Sequence, residues 1–214
     1  MKIDKLFNGL KRIANGDYVL EGDLISEETI EIDLDDRFVV KGRIESKKSI
    51  IIRGGIEAGE GIEAGWGIKA GCGIEAGEGI KAGCGIEAGW GIEAGEGIKA
   101  GCGIEAGWGI EADEGIKAGE GIEAGWGIEA GWGIEAGEGI KAGEGIEAGW
   151  GIEAGCGIEA GAFISVKKRI FAGISIYRTS KDCDKTIRCT ELRDGEVCYG
   201  DLVLTGREEK KDED

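Results

Sequence analysis

The sequence predicts an all-β fold: a three-sided parallel β-solenoid, or β-helix, of about 18 residues per coil. Three observations point to it. Between residues 54 and 162 the unit Gly-Ile-(Glu/Lys)-Ala-Gly-X is read eighteen times without an insertion, from Ile56 to Ile158 at a constant spacing of six. Such fixed-period self-similarity marks a solenoid, whose units pack only on their neighbours. Within each unit Ile and Ala stand two apart with a charge between them, the alternation of a short half-buried strand. The third observation is position X, where identities occur in 8 of 15 pairs at a shift of eighteen residues, against 3 of 17 at six, 1 of 16 at twelve and 6 of 14 at twenty-four.

Other repeat folds fit less well. Collagen needs glycine at every third residue, and this chain has no proline. Two glycines in six would cost a helix roughly 2 kcal/mol per unit. In a solenoid the Gly-X-Gly falls at the corner between strands, where glycines free to take positive φ are expected. X is expected to point outward, because one of its columns holds four glutamates and a carboxylate ladder is not buried unpaired.

Residues 1–17 place Ile3, Leu6, Phe7, Leu10 and Ile13 at helical spacing among lysines and arginine, which predicts an amphipathic N-terminal cap helix over the open end of the solenoid. Residues 18–53 lose the glycines but keep the hexad, since Ile32, Phe38, Ile44 and Ile50 fall in phase with Ile56, so the first coils begin here. The stretch from Lys41 through Ile50, Arg53 and Gly54 to Gly59 resembles the bactofilins. That resemblance implies a polymer-forming protein with a three-sided β-helical core. The array is also similar to the hexapeptide-repeat acyltransferases, with Ile as the aliphatic position and Glu after it. It departs from them where X is Glu, Trp or Cys, and their catalytic histidine has no counterpart in a chain without histidine.

Beyond the array, Ile164, Ile170 and Ile176 keep the phase for a last coil over residues 163–178. Residues 179–206 alternate as strands around Arg193-Asp194-Gly195-Glu196, whose Asp-Gly predicts a C-terminal β-hairpin cap. The charged residues 207–214 read as a disordered tail.

The formal charge is −17, and its placement is informative. Within the array thirteen Glu follow isoleucine, seven stand at X and Asp113 adds one, against Lys69, Lys81, Lys99, Lys117 and Lys141, a net of −16; the flanks carry 22 acidic and 21 basic residues. Six coils at ~4.8 Å per strand spacing make a barrel of ~29 Å, hence about one net negative charge per 1.8 Å, against one per ≈ 1.7 Å for duplex DNA. Seven cysteines without an even framework, no leader-like segment and no long apolar run point to a reducing cytoplasm, with Cys84 and Cys102 as neighbouring free thiols.

Sorted by coil, one face carries Glu57, Glu60, Glu75, Glu78, Glu93, Glu96, Glu111, Asp113, Glu114, Glu129 and Glu147 with no lysine. Trp90, Trp108 and Trp126 form one run at X; Trp132 and Trp150 continue the column of Glu60, Glu78, Glu96 and Glu114. These are the candidate partner-binding residues. No nucleophile elbow, phosphate loop or metal-ligand spacing occurs, so no catalytic residue, cofactor or metal is expected and the chain reads as a non-enzyme.

A like-charge ladder opposes folding, so a use other than stability is expected for it. The expected partner is a protein with a basic nucleic-acid-binding groove, engaged without direct binding to nucleic acid or membrane. In that respect the chain resembles the DNA-mimicking anti-restriction and anti-CRISPR proteins of phages, which implies inhibition of a host nuclease or defence complex in the host cytoplasm. A self-assembling scaffold of bactofilin type is the competing expectation, and the Trp row would then join two copies as a homodimer.

Overall fold

The computed structural model describes residues 1–173 and 184–205. Every regular element among them is a β-strand, most of them three residues long. In each array strand the pleat turns Ile and Ala inward and the charged residue outward. Every isoleucine from Ile56 to Ile158 is at most 2% exposed. A fully buried side chain of this size contributes about 1.5–3 kcal/mol, and each coil supplies three.

Strands stack in parallel at a spacing of eighteen. Ile74 lies between Ile56 and Ile92, Ile80 between Ile62 and Ile98, and Ile86 between Ile68 and Ile104. Three faces result. One is an 11-stranded sheet; the other two join through the strand Phe163–Ala172, which turns a corner and sets Ile164 on Ile146 and Ile170 on Ile152. The ladder continues through the corners, where the amide of Gly77 donates to Ala58 O at 2.9 Å and that of Glu78 to Glu60 O at 3.3 Å.

The glycines serve a different purpose from the one expected. Positive φ occurs only at Gly9, Gly16, Gly22, Gly173, Gly195 and Gly200 among the described residues, and none of these lies in the array. What the first corner position requires is close approach: a Cβ on Gly119 would lie 2.0 Å from the carbonyl oxygen of Gly101 one coil earlier. The second corner glycine is roomier, with 3.4 Å from a Cβ on Gly121 to Gly139 O.

The N-terminal helix does not form. Lys2–Ile3 is instead a strand added in parallel to Glu31 and Ile32, and Lys11–Arg12 pairs antiparallel with Val19 and Tyr18. Ile3 is fully buried, Phe7 and Leu10 pack on the core, and Leu6 is 93% exposed. Gly9 at φ 88° and Gly16 at φ 101° would break a helix, and the free edge of the first coil offers backbone partners that a helix would leave unpaired. The amide of Glu31 reaches Met1 O and that of Asp33 reaches Ile3 O, both at 2.8 Å. The segment still covers the end, by β-pairing. The first coil is also two residues longer than those of the array: Ile30, not Ile32, pairs with Ile50, and Tyr18 with Phe38. Leu34, in the insertion, is fully buried.

The C-terminal hairpin is likewise replaced by coil. Glu191–Tyr199 lies parallel on Phe163–Ala172, and Asp201–Leu204 lies parallel on Thr186–Cys189, which itself follows Ile158. Gly195 does take positive φ, 106°, but within a strand that turns a corner of the solenoid with shifted register and does not reverse. Ile176 and the charged tail lie outside the described residues. Leu202, on the last rung over Ile187, is 39% exposed, and Leu192, Val197 and Leu204 are half-buried, so among the described residues this end is less covered than the other.

Candidate protein-docking site

Glu57, Glu75, Glu93, Glu111, Glu129 and Glu147 occupy the outward position of six successive strands and pair in direct register. Neighbouring carboxylates one strand spacing apart repel by about 0.8 kcal/mol in water. Lysines within the ladder lower that cost on the 11-stranded face, although Glu87, Glu105 and Glu123 still stack in register there. There Lys69 pairs with Glu87 at 2.6 Å, Lys141 with Glu123 at 3.4 Å and Arg188 with Glu159 at 3.8 Å.

The third face stacks Lys81, Lys99 and Lys117 in register and closes the run with Glu63, 3.0 Å from Lys81, and Glu135, 2.5 Å from Lys117. A groove of about 1540 Å³ runs along this face, but its ladder carries both signs. Among the described residues one cation, Arg37, pairs with this ladder, and the column of the array does not contain it. Arg37 pairs with Glu57 at 3.0 Å and also with Glu75, so one guanidinium spans two rungs. The signal was available: Arg37 precedes Phe38, which pairs with Ile56, so it stands at the glycine position of its coil. No ion pair reaches Glu93, Glu111, Glu129 or Glu147 among the described residues.

The corners place X outside, as expected. Trp66, Trp90, Trp108, Trp126, Trp132 and Trp150 are 52–62% exposed. Trp90 stacks on Trp108 at 5.6 Å and Trp108 on Trp126 at 5.5 Å between ring centroids, the ring planes nearly parallel. Trp132 and Trp150 stack at 6.5 Å, and the Lys168 ammonium lies 3.8 Å from the centre of the Trp150 ring, eighteen residues on in the same column. Glu60, Glu78, Glu96 and Glu114 precede them along that corner, linked by hydrogen bonds between their backbones. Asp113 is exposed beside Glu114. The acid face is therefore bordered by carboxylates at one corner and by indoles at the other.

Between the Trp row and the glutamate ladder lies a groove of about 770 Å³. Its floor is bare backbone at Gly91, Gly109 and Gly127. Chemically it offers a flat apolar wall, a row of acceptors and no acid–base pair. No group of three or more potential metal ligands occurs among the described residues.

Among the cysteines, Cys84 and Cys102 are free thiols as expected, as are Cys72, Cys189 and Cys198, whereas Cys156 is disulfide-bonded. Burial pushes the Cys102 thiol up, with Glu120 and the adjacent Cys84 adding to it. Among the described residues no helix is long and apolar enough to cross a membrane. Comparison with family models, with curated proteins and with solved structures finds no match for this chain.

Proposed function

We propose that this chain is a non-enzymatic acidic rod that docks its all-glutamate face on the basic nucleic-acid-binding surface of another protein, imitating duplex charge and thereby inhibiting a nuclease or defence complex. The observation that carries this reading is the run Glu93, Glu111, Glu129, Glu147, held in register without a cation from the described residues. The other two faces pair most of their charges internally. A fold that neutralises two faces and leaves the third ionised keeps that third face for an external cation. The like-charge repulsion along it is relieved when such a partner binds.

Charge reversal tests this. Glu93, Glu111, Glu129 and Glu147 changed to Lys alter the face by eight charges; the control reverses Glu87, Glu105, Glu123 and Glu159 on the 11-stranded face. A duplex-binding partner recovered from lysate at low salt is expected to bind the first variant on the order of a hundredfold more weakly than the control, and to release the native chain when DNA is added. Equal binding of both variants, or simultaneous occupancy of the partner by DNA and this chain, would overturn the proposal.

A second reading, self-association, is favoured by the partly exposed Leu202, Val203 and Tyr199 on the last rung. Because residues 1–17 cover the other end, that geometry supports a tail-to-tail dimer and not an open filament. Light scattering of a Val203→Lys, Leu202→Lys variant checks it: the native chain should dimerise with concentration and the variant should not.

A further inference from the structure

The groove beside the Trp row carries an indication of its occupant, because the chain itself fills both ends. At one end Arg37 stands where later coils have glycine and places its guanidinium across Glu57 and Glu75. At the other, Phe163 takes the equivalent position; its ring atoms lie 2.5 Å from where a Cβ on Gly145 would be, so it covers the glycine floor, and Arg193 stacks 3.6 Å from the centre of that ring. Between these plugs the floor carries no side chain, and Trp90, Trp108 and Trp126 face Glu93, Glu111 and Glu129 across it.

Arg37 also sets the stoichiometry, one guanidinium to two rungs. Continued along the ladder, a second arginine would span Glu93 and Glu111 and a third Glu129 and Glu147, so adjacent arginines are two rungs, ~9.6 Å, apart. A fully extended strand repeats side chains on one side at about 6.8 Å and misses this spacing. A polyproline II segment repeats every third residue at about 9.3 Å and matches it. Such segments dock on aromatic-lined grooves, where pyrrolidine rings and aliphatic stems meet indole while arginines supply bidentate bonds to carboxylates. Trp108 is sandwiched between Trp90 and Trp126, so the row presents a continuous apolar wall along the groove.

We propose that the groove between Trp90–Trp108–Trp126 and Glu93–Glu111–Glu129 binds a polyproline II segment of the partner carrying arginines three residues apart. This rests on the acid face being a docking surface and adds the partner's local conformation and arginine spacing.

Calorimetric titration of the intact protein at low salt tests it with two capped octapeptides of equal composition. The first, Pro-Pro-Arg-Pro-Pro-Arg-Pro-Pro, has the required spacing; the second, Pro-Pro-Pro-Arg-Arg-Pro-Pro-Pro, does not. The spaced peptide is expected to bind about tenfold more tightly. Glu111→Gln with Glu129→Gln should weaken the spaced peptide at least about tenfold, as each removes one carboxylate of a pair. Arg37→Ala frees Glu57 and Glu75, so an eleven-residue peptide with a third arginine in register should bind this variant more tightly than the native chain. Equal affinity for the two octapeptides, or no gain with Arg37→Ala, overturns the spacing proposal. Either result leaves the acidic-rod reading standing if the duplex-binding partner still releases the chain to DNA.

Discussion

Replacing Gly119 by alanine is expected to lower stability by about 2–3 kcal/mol, whereas Gly121→Ala, two residues on in the same corner, should change it by less than about 1 kcal/mol in either direction. The sequence makes no distinction between these two glycines. The structure separates them by contact. A Cβ at Gly119 meets the Gly101 carbonyl oxygen at 2.0 Å, closer than any real contact, and the obstacle is backbone locked into the ladder. A Cβ at Gly121 meets Gly139 O at 3.4 Å, at the edge of ordinary contact. Thermal unfolding followed by circular dichroism would separate the pair by roughly 4–12 °C. Within the array there is one instance of the difficult substitution, Asp113, which stands where Gly95 and Gly131 stand in adjacent coils; Lys41, Lys47 and Arg53 hold the same corner position in the coils before it. Its amide reaches Ala94 O at 3.2 Å, against 3.0 Å for Gly95 to Ala76 and Gly131 to Ala112, so the corner bond is the longer one there. Asp113→Gly should therefore raise the melting temperature. Equal melting temperatures for Gly119→Ala and Gly121→Ala would show that close approach is not what the first glycine provides.

Where the repeat is regular, physical reading of the residues reaches far. Ile56 to Ile158 inward, charge outward, eighteen residues to the coil and the stacked Trp90, Trp108 and Trp126 all follow from a period of six and one column statistic. Each coil meets only copies of itself, so local pattern and tertiary contact carry the same information. Legibility ends where the coil meets something else. Ile3 belongs to a strand because the edge at Glu31 and Asp33 offers backbone bonds, which no periodicity within residues 1–17 records. Asp194-Gly195 supplies the positive φ of a turn, but the amount of turning is set by the Phe163–Ala172 strand beneath. The acid face was visible as a column; its counter-ion Arg37 was not singled out, because it lies outside the glycine-rich array. The groove was invisible for another reason: glycine in a repeat reads as corner geometry, and only the placement of Trp and Glu on either side turns the bare backbone into a floor.

The same difference at the N-terminus gives the other large expected effect. A helix over residues 1–17 would put Ile3, Leu6, Phe7 and Leu10 on one buried face, and an aspartate at any of them would be comparably harmful. The strand-and-turn cap instead buries Ile3 completely and leaves Leu6 93% exposed. Ile3→Asp is thus expected to release the cap, since an unpaired carboxylate in that seat costs several kcal/mol, while Leu6→Asp should leave the protein unchanged. Because each coil contacts only its neighbours, losing the cap should not unfold the array but uncover its end. Ile30, Ile32 and Leu34, all buried now, would face solvent, and the amides of Glu31 and Asp33 would lose the acceptors Met1 O and Ile3 O. An uncovered apolar rung with free strand edges is a template for pairing with another chain. Sedimentation velocity should accordingly show Ile3→Asp forming species larger than a dimer with rising concentration, its far-ultraviolet circular dichroism little changed, and Leu6→Asp behaving as the native chain. Species larger than a dimer in both variants alike, or in neither, would mean that residues 1–17 do not cover the end through Ile3.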